Sequence, residues 1–178
     1  LNMDIFRHYH NEIMDSNDYI SDKDYAKVTN QTSYELYYIM QEIILREFPG
    51  TNVIVTGTMR DLEWVEEISE RYRKDPNTDY RLSLITLAVP IKESAFSIME
   101  IYLRLVDARD DNTPLRYTDL AYHNDTVNQF TKNLHIIEED FHNNPSKSLF
   151  DSIKVYRRNK NMFDFSEDTL VYDSQKPD

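Results

Sequence analysis

Asn52-Val53-Ile54-Val55-Thr56-Gly57-Thr58-Met59-Arg60-Asp61 is a short apolar run that leads directly into a glycine, a hydroxyl and a guanidinium. A continuous apolar run between turn signals, with Pro49-Gly50 before it and Gly57 after it, is the pattern of a strand buried on both faces. In an open α/β sheet, ligands sit in the crevice beyond the carboxyl ends of the strands. Gly57 is one of two glycines in 178 residues. Its place at a strand end predicts a tight turn or a close approach to a ligand. Asp61 is placed to cap the helix that follows, which should run to about residue 73.

On the upstream side, apolar and aromatic residues recur at intervals of three and four (Leu36, Tyr37, Ile39, Met40, Ile43, Ile44), which predicts an amphipathic helix over residues 29–48, ended by Pro49-Gly50. Leu1 to Asp4 reads as the end of another strand. On the downstream side, residues 81–89 read as a second buried strand stopped by Pro90. Residues 92–106 read as a helix, with Phe96, Met99, Ile101, Leu103 and Val106 at helical spacing. A polar loop follows, then a long helix over residues 118–141 broken by Asn143-Asn144-Pro145, and two closing strands over residues 153–156 and 170–172. Strands alternating with helices of this length predict an α/β fold, a mainly parallel sheet with crossover helices, in a single domain spanning residues 1–178.

Composition narrows the function classes. With no cysteine, disulfides and thiolate metal sites are excluded, which suits a reducing cytoplasm. No apolar run approaches the ~20 residues a bilayer crossing needs, so no membrane partner is expected. A formal net charge of −12 repels polyanions, and no nucleic acid is expected as a ligand. Many of the 13 tyrosines, such as Tyr34, Tyr37 and Tyr38, sit beside helical apolar positions and read as packing residues. The histidines at 8, 10, 123, 135 and 142 show no metal-ligand spacing.

Several short motifs, in order along the chain, resemble the zeta toxins of bacterial toxin–antitoxin systems. Asp4-Ile5-Phe6-Arg7-His8-Tyr9-His10 resembles that family's segment of Asp, aromatic and Arg followed by a Tyr-His turn. Thr56-Gly57-Thr58-Met59-Arg60 resembles its Glu-Gly-Thr-x-Arg motif, and Ala88-Val89-Pro90 with Ser94 its Ala-Val-Pro strand end. Arg116-Tyr117-Thr118 with His123 resembles its Arg-x-Thr-Pro and His segment. Residues 153–157 and 171–174 resemble its closing strands.

The resemblance implies a P-loop kinase-like fold and a kinase that uses ATP and Mg2+ to phosphorylate a hydroxyl of a UDP-N-acetyl sugar, with a cognate small helical antitoxin as partner. It implies Asp4 as the general base, a role that a strand-end carboxylate facing a crevice suits. It further implies Arg116 as the group that neutralises the migrating phosphoryl, and Arg7, His10, Thr56, Thr58 and Arg60 as substrate-side residues. A hydroxyl and a planar fork donor suit diphosphate or sugar oxygens. Each residue also has a plain structural reading: a turn for Asp4, a hydrogen-bonded histidine for His10, helix capping and an ion pair with Asp61 or Glu63 for Thr58 and Arg60, and a solvated helix start for Arg116.

The chain departs from the family pattern at Thr56, where the family carries Glu, and at Ile101, where it carries Arg. Arg104, three residues on, is near the same helix face and is the expected substitute. A Walker A loop needs G-x-x-x-x-G-K-[ST], and neither Gly50 nor Gly57 precedes a lysine. The resemblance places that loop, and the first strand, upstream of Leu1, so the fold is expected to be incomplete at its N-terminus. A second reading therefore stands beside the kinase: a catalytically inactive remnant that binds a nucleotide sugar or a protein.

Overall fold

The computed structural model describes residues 1–7, 21–108, 115, 117–158 and 169–175. Contacts divide the chain into two compact units, Leu1–Gly57 with Ala95–His123, and Thr58–Ser94 with Asn124–Asp178.

In the first unit the Leu1 amino group donates to the Ile54 carbonyl, and the Leu1 carbonyl accepts the Thr56 N–H at 3.1 Å. A residue bonded in this way to two positions flanking its neighbour is the repeat of a parallel ladder. Residues 51–61 form no strand, so the strands expected over residues 52–55 and at Leu1 to Asp4 are corrected: contact between the two segments is limited to these bonds to Leu1, too short a pairing to propagate a ladder. The expectation of burial on both faces is corrected: Ile54 is 77% exposed. An apolar run records the capacity to be covered, not which element covers it. Met3–Phe6 form a 3-10 turn, capped by the Asn2 side chain, which accepts the Asp4 N–H at 2.9 Å.

The first long helix, α1, spans Asp22–Glu47. Ser21 caps it, and Asp22 and Asp24 in its first turn favour the positive end of the helix dipole. Its buried stripe differs from the expected apolar face. Tyr25, Thr29, Ser33, Tyr37 and Gln41, four residues apart, are buried, whereas Ile39 and Met40 are exposed. Hydroxyls make this seam tolerable, because Thr29 donates to the Tyr25 carbonyl and Ser33 to the Thr29 carbonyl, both at 2.7 Å.

The second unit is built on a three-stranded sheet in the order β1-β2-β3, with β1 at Ser83–Ala88, β2 at Ser152–Arg157 and β3 at Leu170–Asp173. β1 and β2 are parallel and β2 and β3 antiparallel, the mixed α/β arrangement expected of a P-loop kinase-like fold. Asp151 fixes the parallel register. Its N–H donates to the Leu82 carbonyl at 2.7 Å while its carboxylate accepts the Leu82 N–H at 2.6 Å, so Ser83 falls opposite Ser152.

The helix α2, Leu62–Arg73, is capped by Asp61 as expected, and its Val65 joins Met59, Ile137, Phe150 and Ile153 in the core. Two further helices follow, α3 at Ile91–Ala108 and α4 at Leu120–Asn143. The expected apolar face of α3 is present in the sequence, but none of its residues is buried.

Candidate functional site

Asp4 sits in the 3-10 turn that begins just after the paired Leu1, and Thr56 is the residue whose N–H the Leu1 carbonyl accepts. The Asp4 backbone is held by Asn2. Its carboxylate is held by Arg7, whose Nε–H donates to Asp4 Oδ1 at 2.8 Å.

Arg7 is almost wholly buried. Its Nη1 donates to the Ala26 carbonyl at 3.0 Å and to Thr29 Oγ1 at 2.7 Å, and its Nη2 to Asn30 Oδ1 at 2.7 Å. The Tyr25 hydroxyl in turn donates to the Arg7 carbonyl. Four of the five guanidinium donors are thus committed to protein oxygens. The guanidinium thus ties the Asp4 turn to α1.

The same unit holds the surroundings of the Arg116 segment. Asp22 accepts the Tyr102 hydroxyl at 2.6 Å through one oxygen and the Leu115 N–H at 2.9 Å through the other. Tyr102 packs edge-on against Tyr117, with ring centroids 5.2 Å apart. Arg116 and His10 lie outside the described residues. Arg104, expected to replace the family arginine, is exposed on α3 and pairs with Glu100 at 2.6 Å.

In the second unit, Thr58 is exposed and Arg60 pairs with Asp125 on α4, Nη2 to Oδ2 at 2.6 Å and Nε to the same oxygen at 3.0 Å. The sequence reading offered Asp61 or Glu63 as its ion partner. Asp61 is instead engaged in capping, and the partner comes from 65 residues away. No local spacing signals such a pair.

A family model described as Zeta toxin matches residues 1–174. The chain belongs to the zeta toxin family. Searches of the curated proteins and of the solved structures give no match.

Zeta toxin membership carries a kinase-like toxin function and fits the mixed α/β sheet. Among the described residues, no group of three or more His, Cys, Asp or Glu is placed to hold a metal ion. No described helix is long and apolar enough to cross a membrane. A cavity of about 560 Å3 lies in the second unit, lined by Arg81, Ser83, Ile85, Asp151, Ser152, Lys154 and Gln175. Its lining includes residues from the amino-terminal halves of β1 and β2 and none of the expected site residues.

Proposed function

We propose that this zeta toxin phosphorylates a hydroxyl of a UDP-N-acetyl sugar, with ATP as phosphoryl donor and Asp4 as the general base. The supporting observation is the setting of Asp4. Its side chain keeps about 40% of its surface exposed in a 3-10 turn while one oxygen is held by a buried guanidinium. A tethered, accessible carboxylate can take the proton of a sugar hydroxyl as that oxygen bonds to the γ-phosphorus of ATP and the bond from that phosphorus to the bridging oxygen breaks, releasing ADP. Thr56, Thr58 and Arg60 are the proposed substrate side, Arg116 and Arg104 the proposed neutralising charges, and a small helical antitoxin the proposed protein partner.

The test is release of ADP by the full-length protein in the presence and absence of a UDP-N-acetyl sugar. Release that depends on the sugar, and a loss of about 10²–10⁴-fold in Asp4→Asn, are expected. A folded full-length protein with no sugar-dependent release would overturn the proposal.

A second reading, a binding module without turnover, draws support from Thr56 and Ile101. Both stand where the family has charged groups, and neither supplies one. It predicts calorimetric binding of the sugar nucleotide with no ADP release.

A further inference from the structure

Met59, between the two proposed ligand residues Thr58 and Arg60, has φ of 52°, the only positive φ at a non-glycine residue among those described. A left-handed conformation at a side chain without a short polar group costs about 1–2 kcal/mol and persists only where the surroundings impose it. Two features impose it here. The Met59 side chain is buried in the core beside Val65, Ile137 and Ile153, which fixes its direction. On the other side, Asn133 Nδ2 donates to the Met59 carbonyl at 2.8 Å and to the Arg60 carbonyl at 3.0 Å. Both acceptors are carbonyl oxygens, so the Asn133 amide must turn its NH2 toward them. Asn133 is itself only 7% exposed.

A strained turn, packed on one side and clamped on the other, fixes the exit direction of Arg60. Asp125, on the same helix as Asn133, then holds the guanidinium through Nε and Nη2. One helix therefore secures both the backbone and the side-chain head of the residue.

We propose that Asn133 is a positioning residue for Arg60, and that its clamp on the left-handed turn aims the guanidinium at the diphosphate of a sugar nucleotide. This rests on the ligand role of Arg60 given above. A planar fork binds a diphosphate well only from a defined direction, so the clamp acts on affinity chiefly through Arg60.

The experiment is calorimetric titration of UDP-N-acetylglucosamine into the full-length protein bearing Arg60→Ala, Asn133→Ala, or both, with Ile137→Val as a core control on the same helix. Each single change at Arg60 or Asn133 is expected to weaken binding about tenfold, one interaction's worth. The double variant should bind within about twofold of Arg60→Ala alone, and the core control should bind as the parent does.

If Asn133→Ala weakens binding by the same factor whether or not Arg60 is present, the positioning role is overturned while the ligand role of Arg60 stands. If Arg60→Ala binds like the parent, the ligand role itself fails, and the inference with it. Asn133→Leu, which keeps the side-chain volume but offers no N–H and buries no charge, separates the same outcomes where the alanine variant does not fold.

Discussion

Arg7 donates to Asp4 Oδ1 across 2.8 Å from a position almost sealed from water, whereas Asp4 remains in contact with solvent. The pair is asymmetric, and so are the consequences of breaking it. The arginine is bound to α1 through Thr29, Asn30 and the Ala26 carbonyl, so most of its interactions belong to the fold.

Arg7→Ala is expected to destabilise the protein by about 2–3 kcal/mol, because it leaves several part-buried acceptors without their charged donor. Asp4→Asn removes one ion pair at a half-exposed carboxylate and should cost less than about 1 kcal/mol. Urea unfolding of the two variants checks the order. Equal losses would show that Asp4 is as structural as Arg7.

Gln41 is fully buried on α1, and both polar atoms of its amide lack a hydrogen-bond partner among the described residues. Burying an unpaired amide costs about 1–3 kcal/mol. Gln41→Met, of similar length and without polar hydrogens, is expected to raise stability by about 1–2 kcal/mol in denaturant unfolding. A loss of stability would mean that the amide is satisfied in solution.

The helices were legible because periodicity and caps are local. Asp61 caps α2, as its position before an apolar-periodic run implied, and Pro49-Gly50 closes α1 with Gly50 at φ of 78°. The burial pattern was less legible. Thr29 and Ser33 look like surface residues until their hydroxyls are seen bonded to the preceding turn, and no hydropathy pattern encodes that choice. Within the candidate site, the strand ends expected at Asp4 and Thr56 were not legible: an apolar run signals the capacity to pair, and here Asp4 falls in a 3-10 turn and Thr56 in an irregular segment. Asn2, Asp125 and Asn133 were not legible either, since each acts on a neighbour through a contact, long-range for the last two, that only the fold creates.

Met59→Gly sets two effects against each other. Glycine relieves the left-handed backbone by about 1–2 kcal/mol. Removing a core methionine side chain costs about 2–5 kcal/mol. Packing should win, giving a net loss of about 1–3 kcal/mol by denaturant unfolding. A net gain would mean that backbone strain outweighs the core contact at this turn.

Tyr72 gives the protein a sensitivity to alkali. Burial pushes its hydroxyl up from 10.0 to about 12, with the nearby Tyr80 charge adding to the rise and Arg71 opposing it. The two rings meet edge-on at 5.4 Å, and neither hydroxyl has a hydrogen-bond partner among the described residues. In the unfolded chain Tyr72 ionises near its ordinary value of about 10. The folded state holds its proton longer, so the stabilisation is fully present below pH of about 10 and is lost as the pH rises toward about 12. The gap corresponds to about 2–3 kcal/mol at most. Unfolding midpoints in urea at pH 8, 10 and 11, with tyrosinate absorbance followed in parallel, should show this decline. Tyr72→Phe should flatten it while leaving stability at pH 8 unchanged or slightly higher, since the lost hydroxyl gave up no hydrogen bond. A Phe variant as alkali-sensitive as the parent would assign the decline to other groups.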